Sequence, residues 1–450
     1  MAAFVSLQRP VRWSLAGDGW ELSREGLVFL QRCAREYGDL VPLRYFWKKL
    51  LFVNHPDYIE QVLVKCSRKI AKDVAQRADR ALIGDGLFLG EGESWLRQRR
   101  LMQPAFHREW IAGYGAAMVA CAERLIAPWR DGEERDIYRE MSRVTMAIVA
   151  QTLFGCDVWG DADEVAAALD VALACMGARV RSVQVLLPEA LPTPTNLRLR
   201  DARRRIDRVV YRIIGDRRAA GEDRGDLLSM LMGAQFEDGS RLSDRQVRDE
   251  VMTFLVGGYE TAADLLAWCW HLLAGHPEVE ARLLDEIDGV LGGRTPEVGD
   301  VPRLRYAGMV IAETLRLYPP APALGREVVE EFELGGRRVA KGTDILMSQW
   351  VMHRDPRYFA EPEAFRPDRW ADGLAERLPR FAYFPFGGGP RLCIGHAFAT
   401  MEATLVLVMI AQRWRLERVP GHSVVAEMIP TLRPKDGVRM VCRGRASRES

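Results

Sequence analysis

The sequence predicts a mainly α-helical fold with a small β-rich lobe. Apolar residues recur at helical spacing along most of the 450 residues, and strand-like runs are confined to two short regions. One helical pattern runs from Ser243 to Ala274 without a proline. A hydrophobic share of 48% is ample for a packed core.

Taken in order, Val41 to Val53 reads as a β-hairpin with Trp47-Lys48-Lys49 near its turn. Helical stretches follow at Tyr114–Ala127, Ile137–Leu153 and Arg200–Ala219. Pro188, Pro192 and Pro194 interrupt two helical runs and bend the chain sharply. Ser243-Asp244-Arg245-Gln246 matches a capping box, so a helix starts just after Ser243. It closes at Gly275 and Pro277, giving a rod of roughly 45 Å at the standard rise. Phe332 to Met347 reads as a second hairpin, with turns at Gly335-Gly336 and Lys341-Gly342. Strand-bearing portions thus fall at about 41–53 and 327–348. The chain shows no domain boundary and reads as one domain spanning 1–450.

A net charge of +1 gives no global field toward nucleic acid. The eight cysteines form no Cys-x-x-Cys pair and no disulfide framework, which fits a reducing cytoplasm. Met1 to Trp20 carries Arg9, Arg12 and Asp18 and lacks a continuous apolar core, so neither a signal peptide nor a transmembrane anchor is expected.

Three segments carry chemistry. Phe386-Gly387-Gly388-Gly389-Pro390-Arg391-Leu392-Cys393-Ile394-Gly395 is a glycine-rich loop that opens into an apolar helix read from Ile394 onward. At such a helix start Cys393 is favoured as a thiolate, a strong ligand for iron. Two other readings stand beside that one: a small buried hydrophobe, and a nucleophile paired with His396. In the long helix, Gly257-Gly258-Tyr259-Glu260-Thr261 sets an acid and a hydroxyl side by side. The two glycines cost about 1 kcal/mol each there, which implies close approach by another group or a widened helix. Glu260 in a structural salt bridge is the competing account. Trp95-x-x-x-Arg99 places an indole N–H and a guanidinium one helical turn apart, suited to a carboxylate, or simply to an arginine lying over an aromatic.

The cysteine loop resembles the heme-binding signature of the cytochrome P-450 superfamily, Phe-Gly-x-Gly-x-Arg-x-Cys-x-Gly, at every fixed position. Gly257-Gly258-x-Glu260-Thr261 is similar to that family's distal motif, and Glu313-x-x-Arg316 with Arg369 to its buried ion network. His353-Arg354-Asp355-Pro356 is a further family string, read as structural. The resemblance runs from about Arg24 to the C-terminal region. It implies a cytochrome P-450 fold with heme b (iron protoporphyrin IX) between a long distal helix and a proximal cysteine-loop helix.

The resemblance also implies the roles. Cys393 is the iron ligand, held in the loop from Phe386 to Gly395. Gly257 and Gly258 make room for dioxygen, and Glu260 and Thr261 deliver protons. Arg391, Trp95, Arg99 and Arg326 reach the heme propionates. The activity implied is monooxygenation of a lipophilic small molecule (a terpene, fatty acid or polyketide), with electrons from NAD(P)H through a separate reductase and a ferredoxin. Arg97, Arg100 and the Arg391 loop are candidate docking cations for that carrier. Mostly apolar segments nominated for the substrate pocket are Asp85–Phe88, the stretch before the proline cluster, Met252–Val256, Ala321–Leu324 and Ile429–Leu432. Arg179 and Arg181 are expected to face water. Rival activities are a peroxide-driven or rearranging heme-thiolate enzyme, which often lacks the acid–alcohol pair, and a non-enzymatic heme sensor.

Overall fold

A computed structural model describes residues 18–45, 48–160, 162–180, 182, 184, 188, 190–235 and 239–445. The residues Arg9, Arg12, Trp47 and Arg181, and most of the stretch before the proline cluster, lie outside this set. The chain forms two compact units.

The first unit combines residues up to 78 with residues 315–393. Its centre is a five-stranded sheet in the order Leu40–Tyr45, Lys48–Val53, Asp344–Met347, Leu324–Val328, Ile70–Ala71. The predicted hairpin is present, with Leu40 opposite Val53 and Tyr45 opposite Lys48. The second prediction is half corrected. Phe332–Leu334 and Arg337–Val339 do pair around Gly335-Gly336. Asp344–Met347 instead runs parallel to Lys48–Val53 and antiparallel to Leu324–Val328. Its apolar residues explain the choice: Ile345 and Met347 are fully buried with Leu51, Val53, Ile59 and Val62.

The second unit combines residues 79–314 with residues 394–450 and is mainly helical. Its helices include Arg108–Ile126, Ile137–Leu153, Ala162–Val180, Pro194–Ala220, Asp244–Leu273 and His396–Arg413. The capping box forms as read: the Gln246 N–H donates to Ser243 Oγ at 3.3 Å, and the Ser243 N–H to Gln246 Oε1 at 2.9 Å. Thr193 caps the helix that Pro194 opens, which is how the proline cluster ends. The sequence reading missed the strands Glu134–Asp136, Trp414–Arg418, Ala426–Ile429, Thr431–Pro434 and Arg439–Gly444. They are short, and Arg439–Gly444 pairs with Glu134–Asp136 about 300 residues away, so local periodicity carries little of the signal. Among the described residues no helix is long and apolar enough to cross a membrane.

Candidate active site

The cysteine loop lies in the first unit, and each of its glycines has its own reason. Gly387 and Gly389 take φ of 71° and 67°, the left-handed region that side chains avoid. Gly388 is extended, but a Cβ there would lie 2.2 Å from the Phe381 ring. At Gly389 a Cβ would lie 2.1 Å from the backbone oxygen of Leu63. The Cys393 N–H donates to the Phe386 carbonyl at 3.0 Å and closes the loop. Cys393 is exposed, and it is the one exposed member of the eight cysteines.

The helix after the loop begins at His396, with Gly395 as its N-cap, which corrects the expected start at Ile394. The Gly395 carbonyl is the one that accepts from Ala399, while the Cys393 N–H is already committed to Phe386. Cys393 therefore precedes the helix.

The long helix Asp244–Leu273 lies in the second unit and is α-helical throughout, so no widening occurs at the glycines. Gly258 answers to packing: its Cβ would lie 2.8 Å from Val149 on the neighbouring helix. Gly257 is exposed, with open space where its Cβ would stand. One turn on, the half-buried Thr261 hydroxyl donates to the Gly257 carbonyl at 2.7 Å. Buried Thr145 donates to the Tyr259 carbonyl at 3.0 Å and props the helix at this point.

Glu260 is buried and accepts from the Thr431 hydroxyl at 2.9 Å. Burial raises its pKa, and among the described residues it forms no salt bridge of the kind the competing account requires. The sequence reading missed its partners Asp264, Thr431 and Arg433. The i,i+4 spacing of the two acids was visible, but nothing local marked them as buried.

The cytochrome P450 family model matches residues 7–440. The chain belongs to that family. It is 39% identical to the cyclooctatin synthase of Streptomyces melanosporofaciens, over 91% of this chain and 90% of the relative. It is 41% identical to the cyclooctat-9-en-7-ol 5-monooxygenase of the same organism, over 91% and 89%. The pentalenene oxygenase of Streptomyces avermitilis is 36% identical over 94% and 93%. The mostly helical fold with small sheets is that of the P450 family, and the chain is a cytochrome P450 monooxygenase.

P450s bind heme b, which supplies dioxygen activation and one-electron chemistry at its iron. The residues present fit it. An exposed cysteine stands on a loop in which Gly388 and Gly389 leave no room for a side chain. An open glycine face carries a hydroxyl on the long helix. Candidate propionate donors are Arg391 and Arg326 in the first unit, and Trp95 and Arg99 in the second. Arg326 is buried and donates to Gln76 Oε1 at 3.1 Å. Trp95 and Arg99 are half-buried on the helix Gly92–Met102, as their spacing implied.

Further groups hold the cysteine loop. His353 is fully buried, and burial lowers its pKa to about 3, so the neutral ring accepts from the Phe384 N–H at 2.9 Å. Phe384 in turn accepts from the Gly387 N–H. Arg316, also fully buried, donates to the carbonyls of His353, Pro362 and Ala364. Arg369 shares the Ala364 carbonyl and donates to Ala360 and Glu361. These arginines are tied to backbone carbonyls, as a structural role requires, and Glu313 is itself fully buried.

Two expectations are corrected. Arg179 does not face water: it is buried and donates to Asn196. Met252 and Leu432, nominated for the pocket, belong to the core, where the Leu432 carbonyl accepts from Trp268 Nε1 at 2.7 Å. The Asp85–Phe88 loop is held from the long helix. The Asp85 N–H donates to Asp249 at 3.0 Å, the Leu87 N–H to Glu250 at 2.9 Å, and Phe88 is exposed.

Two predictions follow from these contacts. Gly389→Ala is expected to lower the thermal midpoint and heme content well below those of Gly387→Ala. The second change meets only an ordinary 3.6 Å contact with Leu324 and a backbone penalty of about 1–2 kcal/mol. Equal losses in a thermal melt would contradict the Leu63 clash. Glu250, pushed up to about 8 by burial from an ordinary 4.5, holds its proton more tightly folded than unfolded. Stability should therefore fall as pH rises from about 4.5 to about 8, by on the order of a few kcal/mol. Glu250→Gln should flatten that slope in thermal melts across pH. His353 works in the opposite sense, its contribution being lost as pH drops from 6.5 toward about 3.

Proposed function

We propose that this P450 oxidises a terpene-type hydrocarbon or alcohol, using dioxygen and electrons from NAD(P)H passed through a reductase and a ferredoxin in the cytoplasm. The observation that carries the substrate class is the identity of 36–41%, over most of each chain, to relatives named for cyclooctatin, cyclooctat-9-en-7-ol and pentalenene. The two units act as one catalytic domain. Cys393 ligates the heme iron, and Arg391, Arg326, Trp95 and Arg99 hold the cofactor, with Phe386 and Gly395 framing the loop. Gly257 and Gly258 keep the oxygen-side helix thin.

Glu260 and Thr261 manage the proton. Burial keeps the Glu260 carboxyl neutral, so a proton is stored at that atom. The Thr261 hydroxyl, fixed on the Gly257 carbonyl, orients the water that carries it onward. Exposed Arg97 and Arg100 offer an acidic carrier a docking point.

The test is a spin-state titration of the holoprotein with cyclic terpenes, fatty acids and macrolides. Turnover follows with NAD(P)H and a surrogate ferredoxin system. Terpenes should shift the Soret band and yield an oxygenated product coupled to NAD(P)H. A shift with fatty acids or macrolides alone would overturn the substrate class. Turnover with peroxide but not with NAD(P)H would overturn the electron route.

A further inference from the structure

The helix Pro194–Ala220 begins against the usual charge order. A helix N-terminus favours acids over cations, yet this first turn holds no acid. Arg198, Arg200, Arg203, Arg204 and Arg205 follow, with Asp201 as the one acid among them. Two of these arginines make ordinary pairs, Arg204 with Asp201 at 3.4 Å and Arg205 with Glu164 at 3.4 Å.

Arg200 and Arg203 have a different setting. With Asn196 and Leu199 they share one face of the helix, at successive steps of three, one and three residues. That face, together with Ala81 and Ala190, lines a cavity of about 270 Å³. Such a volume suits the end of a small molecule better than a whole one. Among the described residues no acidic side chain lines the cavity, so its charged wall is cationic. Ala81 leads into the Asp85–Phe88 loop and Ala190 stands in the proline cluster, so the cavity lies beside segments nominated for the substrate.

The wall is fixed in advance. Arg203 donates to the Ala81 carbonyl at 3.1 Å and lies 3.5 Å from Asp207. Asp207 also accepts from Arg248 Nε at 2.7 Å. One carboxylate between two guanidiniums leaves positive charge at the cavity. Arg248 donates in turn to the Leu82 carbonyl at 2.9 Å, so arginines from two helices hold the short helix Arg80–Ile83. Asn196 is 2% exposed, and its amide is pinned at both ends. Buried Arg179 donates to its oxygen, and its nitrogen donates to the Leu191 carbonyl at 2.9 Å.

We propose that this cavity binds a carboxylate of the substrate, with Arg200 and Arg203 on its oxygens, so that this P450 oxidises a terpenoid acid. A guanidinium fork matches a carboxylate with two parallel charge-assisted hydrogen bonds, which a hydroxyl cannot accept in the same way. Ala81, Ala190 and Leu199 leave an apolar wall for the adjoining carbons. An oxidation that turns a methyl or hydroxymethyl carbon into an acid must then precede the step of this enzyme. The inference deepens the terpene reading given above and rests on it.

Equilibrium dialysis of the holoprotein tests it with two matched sets: abietadiene, abietadienol and abietic acid, and farnesene, farnesol and farnesoic acid. The variants are Arg200→Gln, Arg203→Gln and, as a control on the same helix outside the cavity, the exposed Arg208→Gln. The carbon monoxide spectrum reports that each variant retains its heme. In at least one set the acid should bind about tenfold or more tighter than its hydrocarbon and its alcohol. Raising the salt concentration should weaken the acid and leave the hydrocarbon in place. Arg200→Gln and Arg203→Gln should each remove most of the preference, and Arg208→Gln should keep it. Arg200→Gln leaves the Ala81 contact intact, so it separates lost charge from a loosened wall. If terpenes bind but no acid exceeds its hydrocarbon and alcohol, or if the preference survives Arg200→Gln, the carboxylate site is overturned and the terpene reading stands. If neither set binds in any form, the terpene reading falls and the carboxylate site falls with it.

Discussion

Replacing Cys393 by alanine is expected to abolish the strongly red-shifted Soret band of the reduced carbon monoxide complex, and monooxygenation with it. The other cysteines are poor substitutes. Burial pushes the thiols of Cys156, Cys269 and Cys442 up to about 12 and that of Cys121 to about 11, and raises those of Cys66 and Cys175. None of these is exposed, whereas Cys393 is. The variant should still fold. Its loop is closed by backbone, the residue 393 N–H donating to Phe386 at 3.0 Å, and that bond needs no sulfur. The expected product is therefore a folded protein without the thiolate spectrum. Persistence of the red-shifted band in Cys393→Ala would remove this residue from the ligand role.

Thr261→Ala should keep heme and substrate affinity while product per NAD(P)H falls sharply and peroxide appears in its place. Positioned proton transfer is worth roughly 10²–10⁴-fold, which sets the scale of the loss at the coupled step. The structural cost is small by comparison. The half-buried hydroxyl makes one hydrogen bond to its own helix at Gly257, and losing such a bond costs about 1 kcal/mol. Thr261→Ser, which restores the hydroxyl, should recover most of the coupling. Equal coupling in wild type and Thr261→Ala, measured as NAD(P)H consumed against product and peroxide formed, would assign the hydroxyl to helix structure alone.

Much of the molecule could be read along the chain because it depends on residues only a few positions apart. The Ser243–Gln246 capping box, the helix Ile137–Leu153 and the tight pair Leu40–Tyr45 with Lys48–Val53 are all of this kind. The cysteine loop and the acid–alcohol pair were also visible, since each lies within ten consecutive residues. Folding alone assigned the partners. Asp344–Met347 chose Lys48–Val53 over its neighbouring strand because its burial is shared with segments nearly 300 residues away. Arg179 reads as a surface cation at the end of a helix, and becomes buried only once Asn196 stands against it. Glu260 and Asp264 read as two acids on one helix face. What keeps them protonated is their removal from water under the strand that bears Thr431 and Arg433, about 170 residues on. Local order follows from hydrogen bonds and turns within a few residues, whereas burial, and the proton affinities it sets, belongs to segments that meet only in the folded chain.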